Sequence, residues 1–299
     1  MVRFRPNILL AGTAVVLLAG QHPSLAQQTI VGVHALAGAP ARAAGALSVR
    51  ETGPLARELE ITMADIATGT PLIDFEEELT QQLHVIAVDS ALSTFVHEHA
   101  EEADGDGRFR VEVQFPKPGT YHLYADAAPA GLGQQVLRFD LPVGESTPAA
   151  PANLAPWAER ALISSDGPYT VELDTSGLAA GRESEASMRI LKSGGPADDL
   201  QPYLGVPAHA VFIGANDLAY VHAHATARSP ESDGSSGGHG GPDPHAGHGA
   251  PNTKGSVPPE LTLHVTAPQA GAYALWVQFI GGGEVRTVPF SIAVPQAGS

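Results

Sequence analysis

Cysteine is absent from the chain of 299 residues, and this absence removes several kinds of chemistry at once. Disulfide scaffolds, thiol nucleophiles, iron–sulfur clusters and blue-copper sites with a thiolate ligand all require cysteine. A metal ion bound by this chain must therefore be held by histidine, carboxylate or methionine. Among the nitrogen and sulfur donors histidine dominates, with 13 residues against 3 methionines.

Aromatic residues and positive charges are also scarce. Phe, Trp and Tyr make up 6% of the chain, so a core has to be built mainly from Val, Leu, Ile and Ala. Lysine and arginine number 16 against 32 acidic residues, which gives a formal net charge of −16. Nucleic acids and anionic membrane surfaces are bound through neutralisation of phosphate by basic residues. The charge therefore argues against nucleic acid as a partner and favours cations.

The N-terminal residues predict an export signal. Arg3 and Arg5 precede an apolar stretch, residues 8–19, that is too short to span a bilayer, and Ser24-Leu25-Ala26 fits a cleavage site. We expect residues 1–26 to be a signal peptide and the mature chain to be periplasmic or secreted, with no membrane span after cleavage. An uncleaved membrane anchor is the alternative.

An internal repeat organises the rest of the chain. Residues 84–99 read HVIAVDSALSTFVHEH and residues 209–224 read HAVFIGANDLAYVHAH. In both segments one histidine is followed, at the same spacing, by an HxH pair. The match continues downstream, where FPKPGTYHLYAD around Gly119 corresponds to APQAGAYALWVQ around Gly271. The chain therefore contains two copies of one unit.

The repeat also predicts the domain boundaries. We expect a first module at residues 30–144, a second at 165–295, and a Pro/Ala-rich linker at 145–164 between them. The second copy is longer because of a Gly-, Ser- and His-rich insertion at about residues 225–257. Its composition cannot bury enough apolar surface to fold by itself, which predicts an inserted loop.

Short apolar runs separated by Gly, Pro, Asp and Asn predict β-strands in both modules. Examples are the runs from Leu83 to Val88, Thr94 to His99, Phe109 to Phe115 and Tyr121 to Ala125. The predicted fold class is all-β, with two tandem β-sandwich modules.

Two turns carry more specific predictions. Tyr121 and Tyr273 each follow a turn glycine by two residues, as does the corner tyrosine of immunoglobulin-like sandwiches, whose hydroxyl ties down a turn. A role as ligands is the alternative for these tyrosines. The glycines at 281–283 lie between two β runs and predict a hairpin turn.

The repeated histidines predict a metal site in each module. On a strand, residues two apart share a face, so an HxH pair projects two imidazoles together. If a hairpin with a two- or four-residue turn follows the first histidine, His84 lies opposite His97 and on the same face, whereas an odd turn length would point it away. The predicted ligand sets are His84, His97 and His99 in the first module and His209, His222 and His224 in the second.

Three imidazoles suit copper, zinc or nickel, and copper stands highest in the usual affinity order, so copper is the predicted ion.

The inserted loop adds His239, His245 and His248, which we expect to capture cations; a polar insertion in which histidine is incidental is the alternative. For the repeated histidines, the alternative is a structural role in which they bond loop backbones. The motifs HExxH and GxxxxGK[ST] are missing from the sequence, and we predict no enzymatic activity.

The segments HVIAVDSALSTFVHEH, FPKPGTYHLYAD and LQPYLGVPAHAVFIGANDLAYVHAH resemble duplicated β modules of poorly characterised secreted bacterial proteins, some of them associated with copper or heavy-metal handling. The resemblance covers most of both modules and implies an immunoglobulin-like or cupredoxin-like sandwich and a link to metals. Cupredoxins use a Cys ligand, so blue-copper electron transfer is excluded here. The predicted function is sequestration or delivery of a transition metal outside the cytoplasm, with another envelope protein as a further partner. The alternative is an envelope interaction or scaffold protein with structural histidines.

Overall fold

The structure, a computed structural model, describes residues 28–145, 162–228 and 256–298, and these residues form strands without any helix. The all-β fold class predicted from the sequence is therefore confirmed. The predicted signal peptide at 1–26 lies outside the described residues, as do most of the predicted linker and most of the predicted inserted loop. His239, His245 and His248 belong to that part of the loop.

The first module is built from two antiparallel sheets. One sheet has the strand order β1-β3-β4-β8 and the other the order β2-β10-β9-β6-β7, with β5 paired to β9. The strands are β1 (Gln28–Val31), β2 (Val33–His34), β3 (Ala43–Glu51), β4 (Ala56–Asp65), β5 (Phe75–Glu76), β6 (Leu83–Asp89), β7 (Phe95–His99), β8 (Arg108–Gln114), β9 (Gly119–Pro129) and β10 (Gln135–Val143).

The second module repeats this order of neighbouring strands. The path β12-β13-β18 corresponds to β3-β4-β8, and β17-β16-β19-β20 corresponds to β7-β6-β9-β10, but here β17 also pairs with β18 and joins the two halves. The strands are β11 (Leu162–Asp166), β12 (Tyr169–Asp174), β13 (Glu183–Lys192), β14 (Gly195–Pro196), β15 (Leu200–Gln201), β16 (Ala208–Gly214), β17 (Tyr220–Ala227), β18 (Glu260–Thr266), β19 (Gly271–Gly281) and β20 (Glu284–Val294).

Three strands extend beyond the boundaries predicted from the repeat. β1 begins at Gln28, before the predicted start of the first module at residue 30. β11 begins at Leu162, inside the segment 145–164 predicted as linker, because Leu162 is buried and pairs with Leu173. β17 continues to Ala227, inside the segment 225–257 predicted as loop, because it pairs with β18 up to Leu261. The ends of these strands are decided by strand pairing, which composition alone does not reveal.

The predicted turns are present. The β19–β20 hairpin closes between Gly281 and Glu284 through two glycines with positive φ, as a two-residue type I′ turn requires. The hydroxyl of Tyr121 donates to the carbonyl of Lys117 at 2.9 Å, and Tyr273 donates to Gln269 at 2.8 Å. The corner role predicted for both tyrosines is therefore confirmed.

Apolar side chains form one core inside each module and a third core between the modules. Every residue of β6 and β16 is buried, because alternate side chains face the strand's own module and the other module. Across the contact, Phe95 stacks on Trp276 with ring centroids 5.1 Å apart, and Tyr124 stacks on Tyr220 at 5.2 Å. The members of this intermodule core are Ile86, Val88, Leu92, Tyr124, Val136, Val211, Ile213, Tyr220, Ala274 and Trp276.

Candidate metal centre

The β6–β7 hairpin brings the three repeated histidines of the first module onto one face. His84 lies opposite His99, with His97 as its diagonal neighbour, and the ladder ends at the pair Val88 and Phe95. The prediction that His84 lies opposite His97 was wrong by two residues, because the last pair, Val88 and Phe95, leaves residues 89–94 in the loop instead of two or four residues. The loop still contains an even number of residues, so the three side chains keep the same face.

The β16–β17 hairpin has the same register, with His209 opposite His224. In each module, the three histidines offer one nitrogen apiece, and these nitrogens lie within 4.8 Å of one another. Each set could therefore hold a metal ion. We call His84, His97 and His99 the first triad and His209, His222 and His224 the second triad.

Hydrogen bonds fix the ring tautomers of His84 and His97 in the first triad. His84 Nε2 lies 3.0 Å from the carbonyl oxygen of Glu78, which can only accept, so Nε2 carries the proton and Nδ1 presents a lone pair. His97 Nδ1 lies 2.6 Å from Gln278 Oε1 and donates to it, so its Nε2 presents a lone pair. The two lone pairs face each other across 3.2 Å, and Nε2 of His99 is buried with no hydrogen-bond partner among the described residues.

The second triad repeats this pattern with different acceptors. His209 Nε2 donates to the carbonyl of Tyr203 at 3.0 Å, and its Nδ1 faces His222 Nε2 at 3.2 Å. His222 Nδ1 lies 3.3 Å from the carboxylate of Asp126. Histidines that bind metals almost always donate their second ring N–H to a carbonyl or carboxylate in this way. Both triads thus have the outer hydrogen bonds of a metal site.

The acceptors for His97 and His222 come from the opposite module. Asp126 on β9 lies opposite His84, and Gln278 on β19 lies opposite His209, so the two acceptors occupy equivalent positions in the repeat. Gln278 reaches the first triad and Asp126 reaches the second. Asp126 also accepts hydrogen bonds from the hydroxyl of Tyr220 at 2.9 Å and from Gln134.

Burial keeps four of the imidazoles neutral, which is the form that binds metals. Burial, with a smaller contribution from the neighbouring His84, lowers the pKa of His97 to about 3 and that of His99 to about 4. Burial likewise holds the pKa of His209 and of His222 well below the usual value. At neutral pH these four rings are therefore in the ligand form.

One carboxylate is enclosed beside the triads. Burial raises the pKa of Asp126, while the field of His84 and the hydrogen bonds from Gln134 and Tyr220 oppose that rise. Burial, together with the charge of Asp126, raises the pKa of Glu78 to about 7.

Sequence reasoning missed Asp126, Gln278 and the contact between the modules. The sequence does show that Asp126 and Gln278 occupy equivalent positions in the repeat, because they follow Gly119 and Gly271 by the same number of residues. That spacing does not show that each side chain contacts a histidine of the other module. The remaining strand histidines lie elsewhere: His122 bonds Asp140 at 2.7 Å and His264 lies near Glu185.

Fold and site together define a two-module all-β protein with one histidine triad per module, placed where the modules meet. The sequence profile described as Domain of unknown function (DUF8832) matches residues 45–144 and 163–296. The chain therefore belongs to this family, and the two matched regions fit a duplicated domain. No curated protein matches the chain. In the part of the chain that the structure describes, no helix is long and apolar enough to cross a membrane.

Proposed function

We propose that this chain is an exported binding protein, not an enzyme, that holds transition-metal ions at the first and second triads and sequesters or delivers them. The observation that carries the proposal is the arrangement of ring nitrogens. In each triad two outer nitrogens donate to fixed acceptors, so the inner nitrogens converge as lone pairs within 4.8 Å. The export signal predicted from the sequence at residues 1–26 and the net charge of −16 support a cation-binding role outside the cytoplasm.

Copper is the ion that the donor set favours. Each triad offers three neutral imidazoles, which are borderline donors, and copper binds most strongly among the common divalent ions at such sites. Zinc and nickel are the alternatives with the same ligand preference. A site of three imidazoles leaves a further coordination position for exchange, which suits transfer to or from another envelope protein.

A scaffold role with structural histidines is the second candidate, and one observation favours it. His84 and His209 each tie down a loop by donating to the backbone carbonyl of Glu78 or Tyr203. A purely structural histidine, however, is expected to have both ring nitrogens satisfied when it is buried. Nε2 of His99 has no such partner, and this favours the metal-binding role.

The proposal is tested by metal binding to the untagged protein after treatment with a chelator. We expect calorimetric titration at pH 7.5 to show saturable binding of two Cu(II) ions per chain, confirmed by elemental analysis. His99→Asn and His224→Asn should each retain one ion, because each removes a ligand from one triad. Flat heats with both Cu(II) and Zn(II) would refute the proposal.

A matched control is available on β9. His122→Asn also removes one histidine, but His122 bonds Asp140 and lies four residues along the strand from Asp126, about 13 Å away at 3.3 Å per residue. This variant should bind two ions with unchanged affinity. A loss of binding in the control equal to that in His99→Asn would show that the titration does not report on the triads.

A further inference from the structure

We infer that the two triads form a single two-cation centre shared by both modules, in which Asp126 is the common counter-charge. This inference rests on the proposed function and goes further, because two separate sites would satisfy that function equally well. It makes three claims: the ions interact, the modules orient each other's ligands, and one buried carboxylate serves both triads.

The rings of the two triads are in direct contact. The centroids of His84 and His222 lie 5.4 Å apart, the same distance that separates His84 from His97 within the first triad. His97 lies 6.4 Å from His209 and 6.5 Å from His222. Because ligand nitrogens bind such ions at about 2.0 to 2.1 Å, two ligand sets in ring contact hold their ions close enough to interact.

Asp126 is a buried carboxylate whose basic neighbour is the imidazole of His222. Its side chain is fully buried, and among the described residues neither lysine nor arginine lies within 4.0 Å of it. Hydrogen bonds from Gln134, Tyr220 and His222 offset part of the cost of burying this carboxylate, and a nearby bound cation would offset more of it. Asp126 lies opposite His84 of the first triad and within 3.3 Å of His222 of the second. Its charge is therefore placed to offset that of ions in both triads.

Each module also orients a ligand that belongs to the other. Gln278 of the second module accepts from His97 of the first, and Asp126 of the first accepts from His222 of the second. Both acceptors sit at equivalent positions of the repeat, so the exchange is reciprocal. Separating the modules would release the tautomer of one ring in each triad, His97 in the first and His222 in the second, which couples ion binding to the contact between the modules.

Electron paramagnetic resonance of the Cu(II)-loaded protein separates one shared centre from two independent sites. We expect the spectrum at two equivalents of Cu(II) to show spin–spin interaction, as lost intensity or dipolar broadening. His99→Asn and His224→Asn, each holding one ion, should give the spectrum of an isolated ion. If two ions bind but the spectrum is the sum of two isolated ions, the shared centre is refuted while the proposed function stands. Absence of binding would refute the proposed function itself.

The role of Asp126 is tested by Asp126→Asn, which keeps the shape and removes the charge. We expect the affinity for Cu(II) to fall about 10- to 100-fold, the usual effect of losing a group that orients a metal ligand. Asp140→Asn, which removes an exposed carboxylate from β10, should leave the affinity unchanged. Equal affinities of Asp126→Asn and the native protein would refute the counter-charge.

A second variant covers the case in which Asp126→Asn does not fold. In the His224→Asn background only the first triad binds an ion, and Gln278→Leu then removes an acceptor that belongs to the second module. We expect the affinity of the first triad to fall about 10-fold or more. An unchanged affinity would show that the modules do not orient each other's ligands.

Discussion

Replacing His99 by leucine should leave the metal-free protein at least as stable as before and should remove one metal ion. Nε2 of His99 is buried without a hydrogen-bond partner among the described residues. An unsatisfied buried polar group costs about 1 to 3 kcal/mol, and leucine removes it while filling similar space. Part of this gain is offset because His99 is only partly buried. We therefore expect the free energy of unfolding to change by between about 0 and +1 kcal/mol.

The same substitution at His97 should have the opposite sign. His97 Nδ1 donates to Gln278 Oε1 at 2.6 Å, and Gln278 is itself buried. Leucine would leave that amide oxygen without its donor, at a cost of about 1 to 3 kcal/mol. Each of the two variants removes one histidine, but only His97→Leu also removes a hydrogen bond to a buried side chain.

Urea unfolding in the presence of a chelator measures the metal-free stabilities, and repeating it with Cu(II) measures the contribution of the ion. An ion present at 100 times its dissociation constant stabilises the folded state by about 2.7 kcal/mol per site. The native protein should show this gain for two sites and His99→Leu for one. A His99→Leu variant that loses more than about 2 kcal/mol without metal and still binds two ions would refute the ligand role of His99.

The remaining predictions concern pH and the intermodule core. The metal-free protein should lose stability as the pH falls below about 6.5, because burial lowers the native pKa of His97 to about 3 and that of His99 to about 4. As the pH falls, these histidines take up protons in the unfolded chain before they do so in the folded protein, so their contribution to the free energy of unfolding is complete above pH 6.5 and declines towards pH 3. Urea unfolding between pH 7.5 and pH 4.5 measures this decline, and an unchanged free energy of unfolding would contradict the prediction. Ile86→Ala and Ile61→Ala should each cost about 2 to 5 kcal/mol, since both side chains are fully buried. Ile86 belongs to the intermodule core and lies two residues from His84 on the same strand face, whereas Ile61 belongs to the core of the first module. Calorimetry should therefore show weaker Cu(II) binding for Ile86→Ala but not for Ile61→Ala. Equal Cu(II) affinities of the two variants would contradict the role of the intermodule core.

The local features of the triads could be predicted because they depend on the two-residue period of a strand. That period places His97 and His99 on one face wherever β7 lies in the fold. The shared face with His84 was predicted only for a loop with an even number of residues, and the loop at residues 89–94 meets that condition. The register itself could not be predicted, because it depends on a loop whose length is set by where pairing stops, at Val88 and Phe95.

The sequence indicates the contact between the modules less clearly than it indicates the shared face of the histidines. In a sheet with one exposed face, strands alternate between apolar and polar residues, whereas HVIAVD and HAVFIG are almost continuously apolar. Such runs indicate burial on both faces, but a strand in the middle of a single domain would give the same pattern. The partner surface therefore became identifiable only when β6 and β16 were seen to supply facing side chains to one core.

The duplication explains why the centre needs both copies. A single module would leave the outer faces of β6 and β9 exposed, with Ile86 and Tyr124 in water, and would leave His97 without its acceptor. Pairing two copies buries these apolar faces and brings each copy's acceptor to the other copy's middle histidine. At the equivalent position of the repeat, the first copy carries Asp126 and the second carries Gln278. The six imidazoles of the two triads therefore enclose one of these carboxylates and not a pair of them. Since enclosing a second unpaired carboxylate would add a large desolvation cost, a neutral amide at the equivalent position orients His97 without that cost.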